Sequence, residues 1–208
     1  IGAPAVNPKI EGKDLFNSAW FIADKKVQKI IHKTLLPTYD VFDEYRYFEP
    51  NFEFSCIKFK GHTFAVTICE DLWNVENNPM YRMAPMDKLI QHHPDCIINI
   101  AASPFHYEQA EKRKHILKAN AIKYHLPVIY VNQVGAQTEL VFDGGSMLVD
   151  KNGEVVTEFN YFKSDFSIFE IDKSEITNTA KNAEVAESKI QWIYDALVMG
   201  VQQYFEKL

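Results

Sequence analysis

The sequence is poor in cysteine, glycine and basic charge, and each shortage excludes something. The three cysteines, Cys56, Cys69 and Cys96, are odd in number and widely spaced, which fits neither a secreted disulfide framework nor a CxxC metal knuckle. Such sparse thiols suit a reducing compartment, so a cytoplasmic protein is expected. Eight glycines and nine prolines in 208 residues are too few for a low-complexity or disordered chain. Lys and Arg total 22 against 28 Asp and Glu, a formal charge of −6. A protein that neutralises nucleic-acid phosphates carries a basic balance or stripe, so no nucleic-acid partner is expected. No apolar run approaches the ~18 residues of a membrane span, and the opening residues lack the charged-then-apolar order of a signal peptide; no membrane partner is expected either. An initiating methionine is also missing. Ile1-Gly2-Ala3-Pro4 reads as the end of an apolar strand, and the chain is expected to be a piece of a longer protein.

What is present can build a core. Hydrophobic residues make up 47% and aromatic residues 13%, and a chain of this length buries roughly 70% of its unfolded surface without a disulfide or metal staple. Residues 18–23 and 27–31, separated by Asp24-Lys25, predict a hairpin. Residues 52–59 and 63–68 predict a second one around Gly61, with Phe54, Cys56 and Ile57 facing Phe64, Val66 and Ile68. Residues 80–91 read as a helix with Met83, Met86, Leu89 and Ile90 on one side. Residues 96–101 and 128–131 are continuous apolar runs of strand length, as in strands buried on both faces. Between them, residues 107–124 have helical spacing, with Ala110, Ile116, Leu117, Ala121 and Ile122 near one face and Glu108–Lys112 as an i,i+4 pair. His125-Leu126-Pro127 ends that helix, and strand, helix, strand implies a βαβ unit. Further strands are expected at 137–142, 147–149, 155–159 and 166–171, with a turn at Lys151-Asn152-Gly153. Residues 188–208 space Ile190, Ile193, Tyr194, Leu197, Val201, Tyr204 and Phe205 as an amphipathic helix. The expectation is one mixed α/β domain, residues 1–187, followed by a terminal helix, residues 188–208.

Cys69 holds the most chemical promise. It closes the apolar run 63–68 and is followed by Glu70-Asp71-Leu72-Trp73, and a thiol at the carboxyl end of a buried strand stands where α/β sheets place their ligands. A free cysteine is otherwise a small core hydrophobe, the role expected of Cys56 and Cys96. A nucleophilic thiol acts as its thiolate, and an unperturbed cysteine titrates at ~8.5. None of the seven histidines stands in a Cys-Gly or similar context, so papain-type activation has no local support. An ammonium serves the same end, and Lys33 follows the strand of the first hairpin. Spacing alone does not pair it with Cys69, and a lone strand-end lysine is ordinarily a solvated charge. His92-His93-Pro94-Asp95-Cys96 offers metal-ligand residue types without zinc spacing, broken by Pro94; a loop is expected. Asp143-Gly144-Gly145-Ser146 lacks the residues and helix that should follow a phosphate loop, so a turn between strands is expected. Tyr45-Arg46-Tyr47-Phe48 has the chemistry to stack on bases, but in an acidic chain core or interface is the expectation.

Three stretches carry a family resemblance. HKTLLPTYDVFDEYRYFEP (32–50), TICEDLW (67–73) and NIAASPF (99–105) together resemble the nitrilase, or carbon–nitrogen hydrolase, superfamily, and within it the glutaminase domains of glutamine-dependent NAD+ synthetases. NQVGAQTELVFDGGS (132–146) and the closing IYDALVMGVQQYFEKL (193–208) extend the likeness over nearly the whole chain. The resemblance implies a four-layer α-β-β-α sandwich, here incomplete at its N-terminus and followed by a linker helix, with a Glu-Lys-Cys triad. By position in these motifs, Cys69 is the implied nucleophile on the side-chain amide of glutamine. Lys33 is the implied triad lysine, stabilising the tetrahedral oxyanion together with the backbone N–H of Glu70; one such donor contributes ~10²–10³ in rate. Glu44 matches the supporting glutamate that orders the lysine, and Tyr39 and Ser103 match glutamine-contacting positions.

Two departures stand out. No residue matches the triad glutamate: Glu11, the one glutamate before Lys33, lies in the loop 7–14 outside any motif. General-base catalysis contributes ~10²–10⁴, so this chain alone is expected to be nearly inert. Gln109 stands where the family has a basic substrate contact, with Lys112 and Arg113 one turn further on.

The resemblance therefore implies the glutamine amidotransferase part of an NAD+ synthetase, which hydrolyses L-glutamine through a Cys thioester and passes ammonia to the ATP-dependent amidation of deamido-NAD+. It implies no cofactor or metal in this part, ATP and Mg2+ in a synthetase domain that follows, and assembly as a homo-oligomer. The rivals are another amidase or carbamoylase of the superfamily, and a catalytically silent scaffold in which Cys69 is a core thiol.

Overall fold

The computed structural model describes residues 1–76, 78–172, 174–177 and 188–208. Its contacts group into two compact units, Ile1–Ile100 and Ala101–Leu208.

In the first unit, β1 (Gly2–Val6), β2 (Leu15–Ala23) and β3 (Lys26–His32) form an antiparallel sheet with β2 in the middle. The β2–β3 hairpin turns on Asp24-Lys25 as expected, both residues at left-handed φ of 51° and 61°, whose twist matches that of the flanking strands. A short helix, α1 (Glu44–Tyr47), is followed by β4 (Ile57–Phe59), β5 (His62–Ile68), α2 (Pro85–Leu89) and β6 (Cys96–Ala101). β4 pairs antiparallel with β5, and β5 pairs parallel with β6. Ala19, Phe21 and Ile31 of the first sheet join Ile57, Phe64, Val66, Ile68, Ile98 and Ile100 of the second in one apolar cluster. Two sheets thus bury their alternating apolar faces on each other.

The second unit contains α3 (Gln109–Tyr124), β7 (Val128–Asn132), β8 (Val134–Gln137), β9 (Leu140–Asp143), β10 (Met147–Val149), β11 (Val155–Glu158), β12 (Glu170–Asp172), β13 (Glu175–Thr177) and α4 (Lys189–Glu206). β10 pairs antiparallel with both β7 and β11, and α3 lies against β7 and β10. The β8–β9 hairpin lies against α4, where Gln203 Oε1 accepts from the Ala136 N–H at 2.7 Å. His125 ends α3 in the left-handed region, and Ser188 caps α4 by accepting from the Gln191 N–H. The Lys151–Gly153 turn forms as expected, and Asp143–Ser146 is a turn between β9 and β10, with Gly144 and Gly145 at φ of 73° and 62°. A Cβ on Gly145 would lie 2.1 Å from the Tyr161 ring, so only glycine fits there.

Several expectations need correction. Residues 52–56 are not strand. Asn51 folds onto the backbone ahead of it, donating to the Glu53 carbonyl at 2.8 Å and accepting from the Glu53 N–H at 3.0 Å, and this local turn competes with a ladder. The helix expected at 80–91 shrinks to α2 with a 3-10 turn at Ile90–His92, because Pro85 stands at the first helical position and has no N–H to extend the helix backwards. The run 137–142 is divided between β8 and β9 by a turn with Thr138 at φ 54°. Of 166–171, only 170 and 171 join a strand, β12. On α3, Ile122 is half-exposed while Arg113 and Asn120 are buried, and the Glu108 carboxylate accepts from Lys189 at 3.2 Å instead of pairing with Lys112. Of the core or interface expected for Tyr45-Arg46-Tyr47-Phe48, the core half falls, because Tyr45, Arg46 and Tyr47 are exposed. The amphipathic helix expected at 188–208 forms as α4, and its apolar stripe, whose direction the spacing leaves open, faces outward, with Leu197 64% and Phe205 68% exposed; the buried positions are Trp192, Ala196 and Met199. The expected boundary between residues 187 and 188 falls at residues outside those described.

Candidate active site

Four consecutive buried residues at the end of β5, Ala65 to Ile68, deliver the chain to a sharp elbow. Cys69 adopts φ +44° at the start of the 3-10 turn Cys69–Leu72, a left-handed conformation that costs a non-glycine residue about 1–3 kcal/mol and is held only where its surroundings compensate. The compensation comes from Asp71, whose Oδ2 accepts from the Ile68 N–H at 3.0 Å. Asn99, a polar residue in the otherwise apolar β6, donates to the Cys69 carbonyl at 3.3 Å and to Thr67 Oγ1 at 3.0 Å.

Lys33 follows β3 directly and is 1% exposed. Its backbone is pinned on both sides, the N–H donating to the Asn17 carbonyl and the carbonyl accepting from the Asn51 N–H. The ammonium donates to both carboxylate oxygens of Glu44, at 2.6 and 2.8 Å. Glu44 is the first residue of α1, and its Oε2 also accepts from Asn17 Nδ2 at 3.1 Å. A buried lysine without a carboxylate would be driven toward its neutral form. Here burial does press the Lys33 pKa down, but Cys69 when ionised, the Glu44 carboxylate with its hydrogen bond, and Asp71 outweigh it and the pKa is raised. Lys33 is therefore a permanent cation beside the thiol.

The thiol itself is hard to ionise. Burial raises the Cys69 pKa to about 11, against the pull of Lys33, and Glu70, Glu44 and Asp71 push in the same upward direction. Glu70 is almost fully buried, and its Oε1 accepts from both the Tyr39 hydroxyl, at 2.6 Å, and the Tyr81 hydroxyl. Burial, followed by the bond to Glu70, raises the pKa of both tyrosines, so each remains a donor.

Cys69, Lys33, Glu44, Glu70 and Tyr39, singled out from the sequence, are thus brought together in the first unit. Ser103 and Gln109 belong to the second. Ser103 is buried, with its N–H donating to Asn132 Oδ1 at 2.9 Å, and Gln109 opens α3. Tyr81, Asp71 and Asn99 were missed. Asn99 had a visible signal as the lone polar side chain of a buried run; Tyr81 had none. Among the described residues no group of three or more His, Cys, Asp or Glu is placed to hold a metal ion, and no helix is long and apolar enough to cross a membrane. The Asp143–Ser146 turn does not fit a nucleotide phosphate, because the Asp143 carboxylate is fully buried against Arg113 (2.5 and 3.0 Å) and Ser146 Oγ accepts from the Asn132 N–H.

Residues 1–181 match the model of the carbon–nitrogen hydrolase family. The chain belongs to that family. Among the curated proteins, this carbon–nitrogen hydrolase is 36% identical over 200 residues to the glutamine-dependent NAD(+) synthetase of Synechocystis sp., a match covering 94% of this chain and 36% of the relative. It superposes on the glutamine-dependent NAD+ synthetase of Acinetobacter baumannii, solved with adenosine diphosphate, with a TM-score of 0.85 and 33% identity over 99% of this chain and 37% of that one. A carbon–nitrogen hydrolase from Helicobacter pylori shares the fold at a TM-score of 0.60 and 24% identity, covering 78% of this chain and 55% of its own. The mixed α/β architecture is thus that of the nitrilase superfamily. The chain spans about a third of the length of the curated relatives it matches.

Proposed function

We propose that this chain hydrolyses L-glutamine as the glutamine amidotransferase part of an NAD+ synthetase. The observation that supports this best is the meeting of the Cys69 elbow with the buried Lys33–Glu44 ion pair, in a chain whose curated relatives carry that name. Cys69 Sγ attacks the side-chain amide carbon of glutamine. The thiol proton passes to the amide nitrogen, the C–N bond breaks, ammonia leaves and a thioester remains. Water then adds to the thioester, the C–S bond breaks, the thiol regains its proton and glutamate departs. In both steps negative charge grows on the carbonyl oxygen, where the Lys33 ammonium and the Glu70 backbone N–H stabilise it. Glu44 orients the ammonium. Tyr39, Ser103 and Gln109 are assigned to glutamine contacts.

The three carboxylates around Cys69 are all engaged: Glu44 by Lys33, Glu70 by two tyrosines and Asp71 by backbone N–H groups. No residue of the 208-residue chain matches a triad glutamate to take the thiol proton, so we assign the chain slow turnover by itself. The ammonia it releases serves ATP- and Mg2+-dependent amidation of deamido-NAD+ in a synthetase domain, to which the outward stripe of α4 offers an apolar face. The assembled protein is a cytoplasmic homo-oligomer.

A diazoketone analogue of glutamine tests the assignment. It is expected to label Cys69 in preference to Cys56 and Cys96, with excess glutamine protecting, and Cys69→Ala should abolish the adduct in mass spectra. Labelling spread evenly over the three cysteines, or unaffected by glutamine, would sink it.

A further inference from the structure

Lys33 and Cys69 come from distant parts of the chain, and the contact that ties their backbones together is neither of their side chains. Asp71 is buried, at 5% exposure. Its Oδ1 accepts from the N–H groups of Thr34 (3.0 Å) and Leu35 (2.9 Å), the two residues after Lys33. Its Oδ2 accepts from the N–H of Ile68 (3.0 Å), the residue before Cys69. Three donors from two segments converge on one carboxylate. No amide could replace it, because an asparagine has one acceptor oxygen and would aim an NH2 group at a backbone N–H. We infer that Asp71 is a positioning residue, a clamp that sets the Lys33 ammonium and the Cys69 thiol in register with each other through the backbones that carry them.

The clamp deepens the glutaminase assignment and rests on Lys33 and Cys69 being its working pair. It makes a claim about pH as well, since a proton on either oxygen meets an N–H already pointing there. The charged and titratable groups around Asp71 are Lys33 and Cys69 on the clamped segments, Glu44 on the far side of the ammonium, Glu70 next in the chain, and His32 and Glu53, which line a small cavity together with Asp71. Burial raises the Asp71 pKa to about 6, against the opposing pull of its N–H donors and Lys33.

Two measurements on the 208-residue chain test this. First, Asp71→Asn is expected to lower the maximal rate of Cys69 labelling by the glutamine diazoketone at least tenfold. The analogue concentration giving half-maximal rate should move less than about threefold, and the break near pH 6 in the pH–rate profile, superposed on the steady rise with thiolate, should vanish. An unchanged maximal rate overturns the clamp. Second, in the unsubstituted chain, hydrogen-exchange protection of the Thr34, Leu35 and Ile68 amides should change together, as one set, as pH crosses about 6. Independent behaviour of the three overturns the clamp even where the variant fails to fold. If the three amides move together but Cys69 takes no label, the glutamine assignment falls and the clamp stands.

Discussion

Because burial holds the Cys69 thiol at about 11, only about one molecule in ten thousand carries the thiolate at pH 7. Lys33 is the group that keeps the value from climbing further. Alkylation of Cys69 by iodoacetamide should therefore be slower than that of free cysteine near neutrality and rise about tenfold per pH unit from 7 to 9. Lys33→Met should slow it at pH 8 by about tenfold, one unit of added shift, read as the rate of mass gain on the Cys69 peptide. An equal rate in the variant would remove Lys33 from the thiol's electrostatic surroundings. At this scale the candidate site residues could be singled out because they stand in contiguous motifs: Lys33, Tyr39 and Glu44 in one stretch, Cys69 and Glu70 in another. Their partners were not. Tyr81 reaches Glu70, and Asp71 reaches Thr34 and Leu35, by bonds made only once distant segments meet. Such bonds leave no period in the sequence.

Among the elements, the strands and turns with strong local chemistry could be read directly. Asp24-Lys25 and Lys60-Gly61 sit at turns with positive φ, and β6 and β7 stand where apolar runs of strand length, broken in β6 by Asn99 alone, suit strands buried on both faces. The β8–β9 turn was hidden, since Thr138 takes a left-handed φ without the usual glycine or asparagine to advertise it. The spacing of α4 marks the helix but leaves its direction open. Trp192, Ala196 and Met199 turn inward, and Ile190, Tyr194, Leu197, Val201 and Tyr204 turn outward. Both faces of that helix are apolar, so periodicity could not tell which one the chain covers itself. The outward stripe should bind a hydrophobic dye such as ANS and promote self-association. Replacing Leu197 and Val201 together by Lys should cut dye fluorescence and concentration-dependent scattering severalfold. Tm should move by no more than about 3 °C, as befits exposed positions. Unchanged dye binding would mean the stripe is covered.

For the molecule as a whole, buried ionisable groups pull stability in opposite directions across mildly acid pH. His32 is stacked on Phe16 and hydrogen-bonded through Nδ1 to the buried Ser18 hydroxyl. Burial lowers its pKa from 6.5 despite the nearby Glu53. The neutral ring is thus the form that folding favours: its contribution is complete above 6.5 and is lost as pH falls through the lower folded value. Asp71 works the other way. Its pKa rises from 3.8 to about 6, so its contribution is complete below 3.8 and is lost as pH rises through about 6. The two-unit displacement corresponds to about 3 kcal/mol. Asp143 is also raised, by burial against the opposing pull of Arg113, and acts in the same sense, but it is common to every chain compared. Urea unfolding at pH 4, 5, 6 and 7 should separate the two contributions. Relative to the unsubstituted chain, the His32→Gln profile should lose stability more steeply as pH rises, because the Asp71 slope is no longer offset. The Asp71→Asn profile should tilt the opposite way, gaining stability as pH rises through the window in which His32 becomes neutral. The offsets between the curves carry the cost of each lost hydrogen bond; the slopes carry the titrations. Two variant profiles parallel to that of the unsubstituted chain would show that neither group titrates differently in the folded protein.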